Sequence, residues 1–185
     1  MRRVLVAVSG LLFREFLDRV LGQLSWSDAE LHLLHIVDAR PLREFGLAAG
    51  NLPGRGRRAS ERLRQMGSLG ADAGQKMLTE AEVIAARRLP AGTPIHRRQR
   101  TGVPEHEIVA AAYEATANLI VLGAAEDPAG PPPPDRHGRP EPPHHEGPPR
   151  FPRRHLTPTV RFVVDHAPCD VLLLYAGKLR AADAV

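Results

Sequence analysis

Four short apolar runs limit how this chain can fold: Val4–Val8, Leu31–Val37, Leu119–Leu122 and Val171–Tyr175. They are rich in Val, Ile and Leu and alternate little with polar residues, the pattern of parallel strands covered on both faces. A fifth segment, Ile95–Arg100, is polar and basic. It reads as an edge strand whose charges discourage pairing with another chain. Between the runs the apolar period lengthens to that of a helix: Phe13, Phe16, Leu17, Val20, Leu21 and Leu24 form one stripe, and Met77, Ala81, Ile84 and Ala85 another. Pro104, Glu105 and Glu107 suit the first turn of a third helix, which carries Ile108, Val109 and Ala112 inward. Thr157 as N-cap and Pro158 as first helical residue open a fourth, running through Val160, Val163 and Val164. Strands alternating with helices give an α/β domain: a five-stranded, mainly parallel, doubly wound sheet with helices on both faces.

The 185 residues suffice for one well-buried domain, expected to span residues 1–185. Two stretches stand apart from its core. Residues 41–68 are rich in Gly and Arg and are expected to be irregular, with a turn or two of helix around Ala59–Met66. Residues 128–155 carry proline at a density that bars helix and sheet alike, so a disordered surface loop is expected there. His137, His144, His145 and His155 lie in that loop, but without the paired spacing of a built site, and no metal is expected. A single cysteine, Cys169, excludes an internal disulfide framework and is expected to be a buried free thiol.

The net charge of +4 comes from arginines scattered in short groups, and only 4% of residues are aromatic. A nucleic-acid binder would show one basic face interleaved with stacking aromatics, so no nucleic-acid partner is expected. No apolar run approaches the ~18 residues needed to span a bilayer. The first strand starts within three residues of Met1, leaving no room for a secretory leader, and the expectation is a cytoplasmic protein without membrane insertion.

In doubly wound sheets, ligands bind beyond the carboxyl ends of the strands. Ser9 and Gly10 follow the first strand, Val37 and Asp38 close the second, and Gly123 closes the fourth. A strand running into Ser-Gly resembles the start of the phosphate loop of the ATP pyrophosphatases, which adenylate their substrates. Those enzymes continue with a second Gly and an Asp-Ser pair, whereas Leu11, Leu12, Phe13 and Arg14 follow here. An adenylating enzyme of that type is accordingly the weakest of three readings.

The carboxyl half carries a more specific likeness. Gly102-Val-Pro, Ile108, Ala112, Ala117-Asn-Leu-Ile-Val-Leu-Gly123 and Leu156-Thr-Pro-Thr through His166-Ala-Pro-Cys169 to Leu174 resemble the universal stress protein family. Arg3–Val8 and Leu33–Asp38 agree with it in the amino half. The resemblance implies the Rossmann-like, adenine nucleotide alpha hydrolase-like fold with strand order 3-2-1-4-5. It also implies a homodimer acting in stress response or regulation, some members binding ATP and others not.

The ATP-binding members have an acid after the first strand and a Gly-x2-Gly-x9-Gly-Ser/Thr pattern from the fourth strand to the last helix. Carried over, the acid becomes Ser9, the first Gly is Gly123, the second is Glu126, and the Gly-Ser pair is Thr157-Pro158. The nine-residue spacer has become the long proline-rich loop. The expectation is a non-catalytic module with a degenerate adenine-nucleotide cleft, drawn from Ser9, Gly10, Val37, Asp38, Gly123, Glu126, Arg153, Arg154, Thr157 and Thr159. Homodimerisation is expected through the last strand, and a further protein partner is open. The alternative is a genuine ATP or AMP sensor whose phosphate site is rebuilt from Thr157, Thr159, Arg153 and Arg154. Asp165, His166 and Cys169 could be drawn as a hydrolase trio, but no oxyanion hole accompanies them and no catalysis is expected.

Overall fold

A computed structural model of the protein describes residues 1–10, 12–41, 56–124 and 156–175; the side chains of 56–64, 66 and 175 lie outside the description. The elements run β1 (Arg2–Ala7), α1 (Phe13–Gln23), β2 (Ala29–Asp38), α2 (Gly56–Arg88), β3 (Ile95–Gly102), α3 (Pro104–Glu114), β4 (Leu119–Ala124), α4 (Pro158–His166) and β5 (Asp170–Tyr175). The five strands form one sheet in the order β3-β2-β1-β4-β5, every neighbouring pair parallel. This is the doubly wound α/β fold with the order 3-2-1-4-5, and the polar segment at Ile95 is indeed an edge.

Strand geometry sends successive side chains to opposite faces, and both faces here are apolar. Val4, Val6, Leu31, Leu33, Leu119 and Val121 pack under α1 and α2, against Phe16, Leu17, Val20, Leu78 and Ala81. Leu5, Leu34, Ile120 and Leu122 face the other way, toward Ile108 and Ala112 of α3 and Val160 and Val163 of α4. Leu33 and Leu34 are therefore adjacent in sequence, both fully buried, and in separate layers of the core. Val164 turns out to solvent. Thr157 caps α4 as its sequence suggests, its Oγ1 accepting from the Val160 N–H at 3.3 Å.

One boundary differs from expectation. Helix α2 begins at Gly56, so the second half of the stretch expected to be irregular, 56–68, is helical. No proline falls between Gly56 and Arg88, and Ala59, Glu61, Leu63, Gln65 and Met66 all favour helix. The glycines weaken that tendency without ending it. Residues 42–55 and the expected disordered loop at 128–155 lie outside the described residues.

Gly74 in α2 has a packing reason. A Cβ there would lie 2.3 Å from His35 Cδ2 and 3.3 Å from Gln99 Cδ, far inside contact distance for the imidazole. His35 is in turn tied by Nδ1 to the Val8 carbonyl at 3.0 Å, and Gln99 donates Nε2–H to the Ala71 carbonyl at 3.0 Å. Glycine thus lets the helix axis approach β2 and β3 closely enough for these polar side chains to reach backbone.

Candidate functional site

Parallel pairing brings the carboxyl ends of β1, β2 and β4 to one rim, where α3 and α4 also begin. Ser9 and Gly10 leave β1 exposed on that rim, and Gly10 has a φ of 75°, a left-handed turn that glycine adopts without strain. Gly123 is exposed near the end of β4. A Cβ there would only touch the Phe16 ring at 3.6 Å, so packing does not demand glycine at this position. Val37 and Asp38 close β2, half-buried.

Asp38 and Thr159 are joined by residues that the sequence did not single out for the site. Arg40 forks onto Asp38, with Nη2 2.7 Å from Oδ2 and Nε 3.0 Å from each carboxylate oxygen, while its backbone N–H donates to Oδ1 at 2.9 Å. The same guanidinium reaches Glu105 Oε1 through Nη1 at 3.3 Å, and Glu105 Oε2 accepts the Thr159 hydroxyl at 3.1 Å. A polar chain Asp38–Arg40–Glu105–Thr159 therefore ties the end of β2 to the first turns of α3 and α4. Hydrogen bonds from the Arg40 side chain hold the Asp38 carboxyl below the usual carboxylate range. Charge-assisted forks of this kind are the stronger class of hydrogen bond. Arg40 and Glu105 could be found from sequence only as a basic residue just after a strand and an acid in a helix first turn. Their meeting depends on the fold.

Two of the four positions that offer backbone donors at the start of α4 are unavailable: Pro158 has no N–H, and the Val160 N–H goes to Thr157 Oγ1 at 3.3 Å. Glu126, Arg153 and Arg154 lie outside the described residues.

Asp165, His166 and Cys169 do not converge. His166 Nδ1 bonds the Phe162 carbonyl at 2.9 Å, its ring stacks on Phe162 at 4.0 Å, and with Asp165 it lines an open cavity of about 340 Å³ along α4. Cys169 instead packs half-buried beside the core layer of α3 and α4, where burial and then Asp170 push its thiol up, away from the reactive thiolate.

A second polar cluster, unforeseen from sequence, lies at the opposite end of the sheet. Glu30 and His32 of β2 and His96 of β3 place their ligating atoms within 4.8 Å of one another. His32, foremost, and Arg3 hydrogen-bond the Glu30 carboxylate and lower its pKa. The sequence signal was the Glu-x-His spacing, which puts both side chains on one face of a strand. His96 joins them only through the β2–β3 register.

The model of the universal stress protein family matches residues 1–174. No curated protein matches the chain. Among solved structures, UspA of Lactobacillus plantarum is similar over 94% of this chain and 97% of its own, with 23% identity and a TM-score of 0.51. A universal stress family protein of Burkholderia pseudomallei is similar over 93% and 94%, with 19% identity and a TM-score of 0.55. One from Arabidopsis thaliana, solved with AMP bound, is similar over 96% and 94%, with 15% identity and a TM-score of 0.52. These likenesses share the fold described above, and the family model spans every strand and helix that forms it but the last residue of β5. The chain belongs to the universal stress protein family.

Proposed function

We propose that the chain is a non-catalytic, dimeric universal stress module whose adenine-nucleotide cleft is degenerate. The observation that carries this reading is the state of the α4 amino terminus. A helix start binds phosphate through unpaired N–H groups and the positive end of its dipole. Here one of those groups is absent at Pro158, the Val160 N–H is taken by Thr157 Oγ1, and the Glu105 carboxylate accepts the Thr159 hydroxyl. A phosphate would have to displace a bonded carboxylate and accept its charge nearby, a repulsion of about 1 to 4 kcal/mol at 4 Å depending on screening.

Calorimetric titration with Mg-ATP and with AMP tests it. No saturable binding is expected below about millimolar, where the binding free energy is only ~4 kcal/mol. A micromolar dissociation constant would overturn the reading. If that affinity fell on replacing Arg153 and Arg154 with Ala, the protein would be the ATP or AMP sensor, a reading to which the AMP-bound Arabidopsis relative gives its interest. Release of pyrophosphate from ATP would establish the adenylating reading instead. The division of Asp165 and His166 from Cys169 supports the absence of hydrolase chemistry. Dimerisation rests on β5, an edge strand whose Val171, Leu172 and Leu173 are half-buried and apolar. Among the described residues no helix is long and apolar enough to cross a bilayer.

A further inference from the structure

We infer that Glu30, His32 and His96 form a binding site for a divalent transition-metal ion of the zinc class. Glu30 and His32, two residues apart on β2, project from the same face, and the parallel register sets His96 of β3 directly beside His32. The two imidazoles lie 4.6 Å apart, centroid to centroid, with ring planes 27° from parallel. Glu30 Oε1 is 3.0 Å from His32 Nε2, and Glu30 Oε2 is 4.0 Å from His96 Nε2. Zinc bonds to nitrogen and oxygen of about 2.0–2.2 Å in tetrahedral geometry put ligand atoms about 3.3–3.5 Å from each other. The two separations, taken from the two carboxylate oxygens, fall on either side of that spacing, and one ligating atom from each of the three residues lies within 4.8 Å of the others. Small rotations about the side-chain bonds bring all three atoms to it, most easily at His96, which is 55% exposed on the edge strand.

The donor set and its surroundings fit the same ion. Two imidazoles and one carboxylate suit zinc, cobalt or nickel, whereas magnesium and calcium favour oxygen alone. Glu30 and His32 are both mostly buried, with side chains 14% and 15% exposed, so their positions are set by packing. Arg3 fixes the carboxylate, its Nε donating at 2.7 Å to Glu30 Oε1, the oxygen that also bonds His32, and its guanidinium bonding Thr116 Oγ1. Such outer partners orient metal ligands. A cation would take the place of the Glu30–His32 hydrogen bond, with both rings in the tautomer that leaves Nε2 unprotonated.

The nearby arginines do not oppose a cation as strongly as their number suggests. Arg97 is paired with Glu82 at 3.2 Å and Arg98 with Glu114 at 2.9 Å. All four line an open cavity of about 750 Å³ that also contains the Glu30–His32–His96 cluster. Three protein ligands leave the fourth position of a tetrahedral ion facing this water-accessible space. Bound metal would also staple edge strand β3 to β2.

The test is titration of the full-length chain with Co2+, following the visible bands of a tetrahedral site, and displacement by Zn2+. One equivalent is expected, with His96→Ala and Glu30→Gln each weakening it at least about tenfold. A His144→Ala/His145→Ala double variant is expected to leave the bands unchanged, separating this site from casual binding by the histidine-rich segment. His96→Ala alters a half-exposed edge position and is the variant least able to disturb folding, which circular dichroism would verify. Bands that vanish in the His144/His145 variant but survive His96→Ala would overturn the inference. So would the absence of any Co2+ or Zn2+ binding at ~100 μM metal, where even a weak site would begin to fill. Neither outcome depends on whether the cleft at the other end of the sheet takes a nucleotide.

Discussion

The two edges of the sheet solve one physical problem in different ways. Among the described residues, β3 and β5 end the sheet, each with a strand paired on one side only. On β3 the exposed run His96, Arg97 and Arg98 is basic; Arg97 pairs with Glu82 on one face, while Arg98 and the less exposed Arg100 pair with Glu107 and Glu114 on the other. Charge of this kind makes edge-to-edge pairing costly. β5 carries no such guard across Val171, Leu172 and Leu173, and its apolar side chains are only partly covered. The contrast teaches that the two edges differ in how costly a new strand pairing would be, and it motivates the proposal that β5 is the shared edge. A two-fold pairing of β5 with its copy would complete the backbone hydrogen bonds and bury the seam.

The largest effect is expected from breaking the apolar edge. Leu173→Lys puts like charges of the two copies at a shared seam, and light scattering at tens of micromolar protein should fall from dimer to monomer mass. A monomer mass for the unaltered chain would remove the distinction between the edges and the proposed dimer with it.

The next effect concerns how β3 is held from behind. Gly74→Ala forces a methyl group into the His35 imidazole, whose bond to the Val8 carbonyl then has to break or α2 has to lift away from β2 and β3. Overpacking of this kind costs about 1 to 3 kcal/mol, read as a lower denaturation midpoint at unchanged slope. Stability equal to that of the unaltered chain would mean that the close approach of α2 contributes little to holding β3. The mass by light scattering should equal that of the unaltered chain, since the proposed dimer seam at β5 lies at the far side of the sheet.

This difference between the edges also marks what the sequence could reveal. The buried strands were legible because Val4–Val8 and Leu119–Leu122 must be covered on both sides, and β3 was legible as an edge because its arginines could not be. Thr157-Pro158 announced a helix start through local chemistry alone. The first half of α2 was hidden because its glycines lower local helix propensity, and the contact that explains Gly74 comes from His35 on another element. The site divides along the same line. Ser9, Asp38 and Gly123 could be placed on the rim from strand ends, but Arg40 bridging Asp38 to Glu105 depends on how α3 sits against β2. Glu30, His32 and His96 needed the β2–β3 register, which no local pattern states.

The smallest effect is electrostatic and separates the edges by pH. Hydrogen bonds from Arg100, together with its charge and that of Arg98, hold the Glu114 carboxyl below its usual value. A carboxyl whose pKa is depressed in the folded protein contributes stability that is fully present above its unfolded value, about 4.3 for glutamate. That contribution is lost as pH falls through the lower folded value, because protonation then breaks the pairs in the native state. Glu114→Gln cannot ionise, so at neutral pH it should melt slightly below the unaltered chain, and the gap should close as the pH is lowered past the carboxylate range. Glu114 and Arg98 are each about half exposed, so the gap should also narrow in high salt. Thermal melts of the two proteins across that range decide the matter. A gap that persists unchanged in acid would show that Glu114 supports β3 through packing of its methylene groups, and the charged guard on this edge would then serve to repel partner strands without stabilising its own.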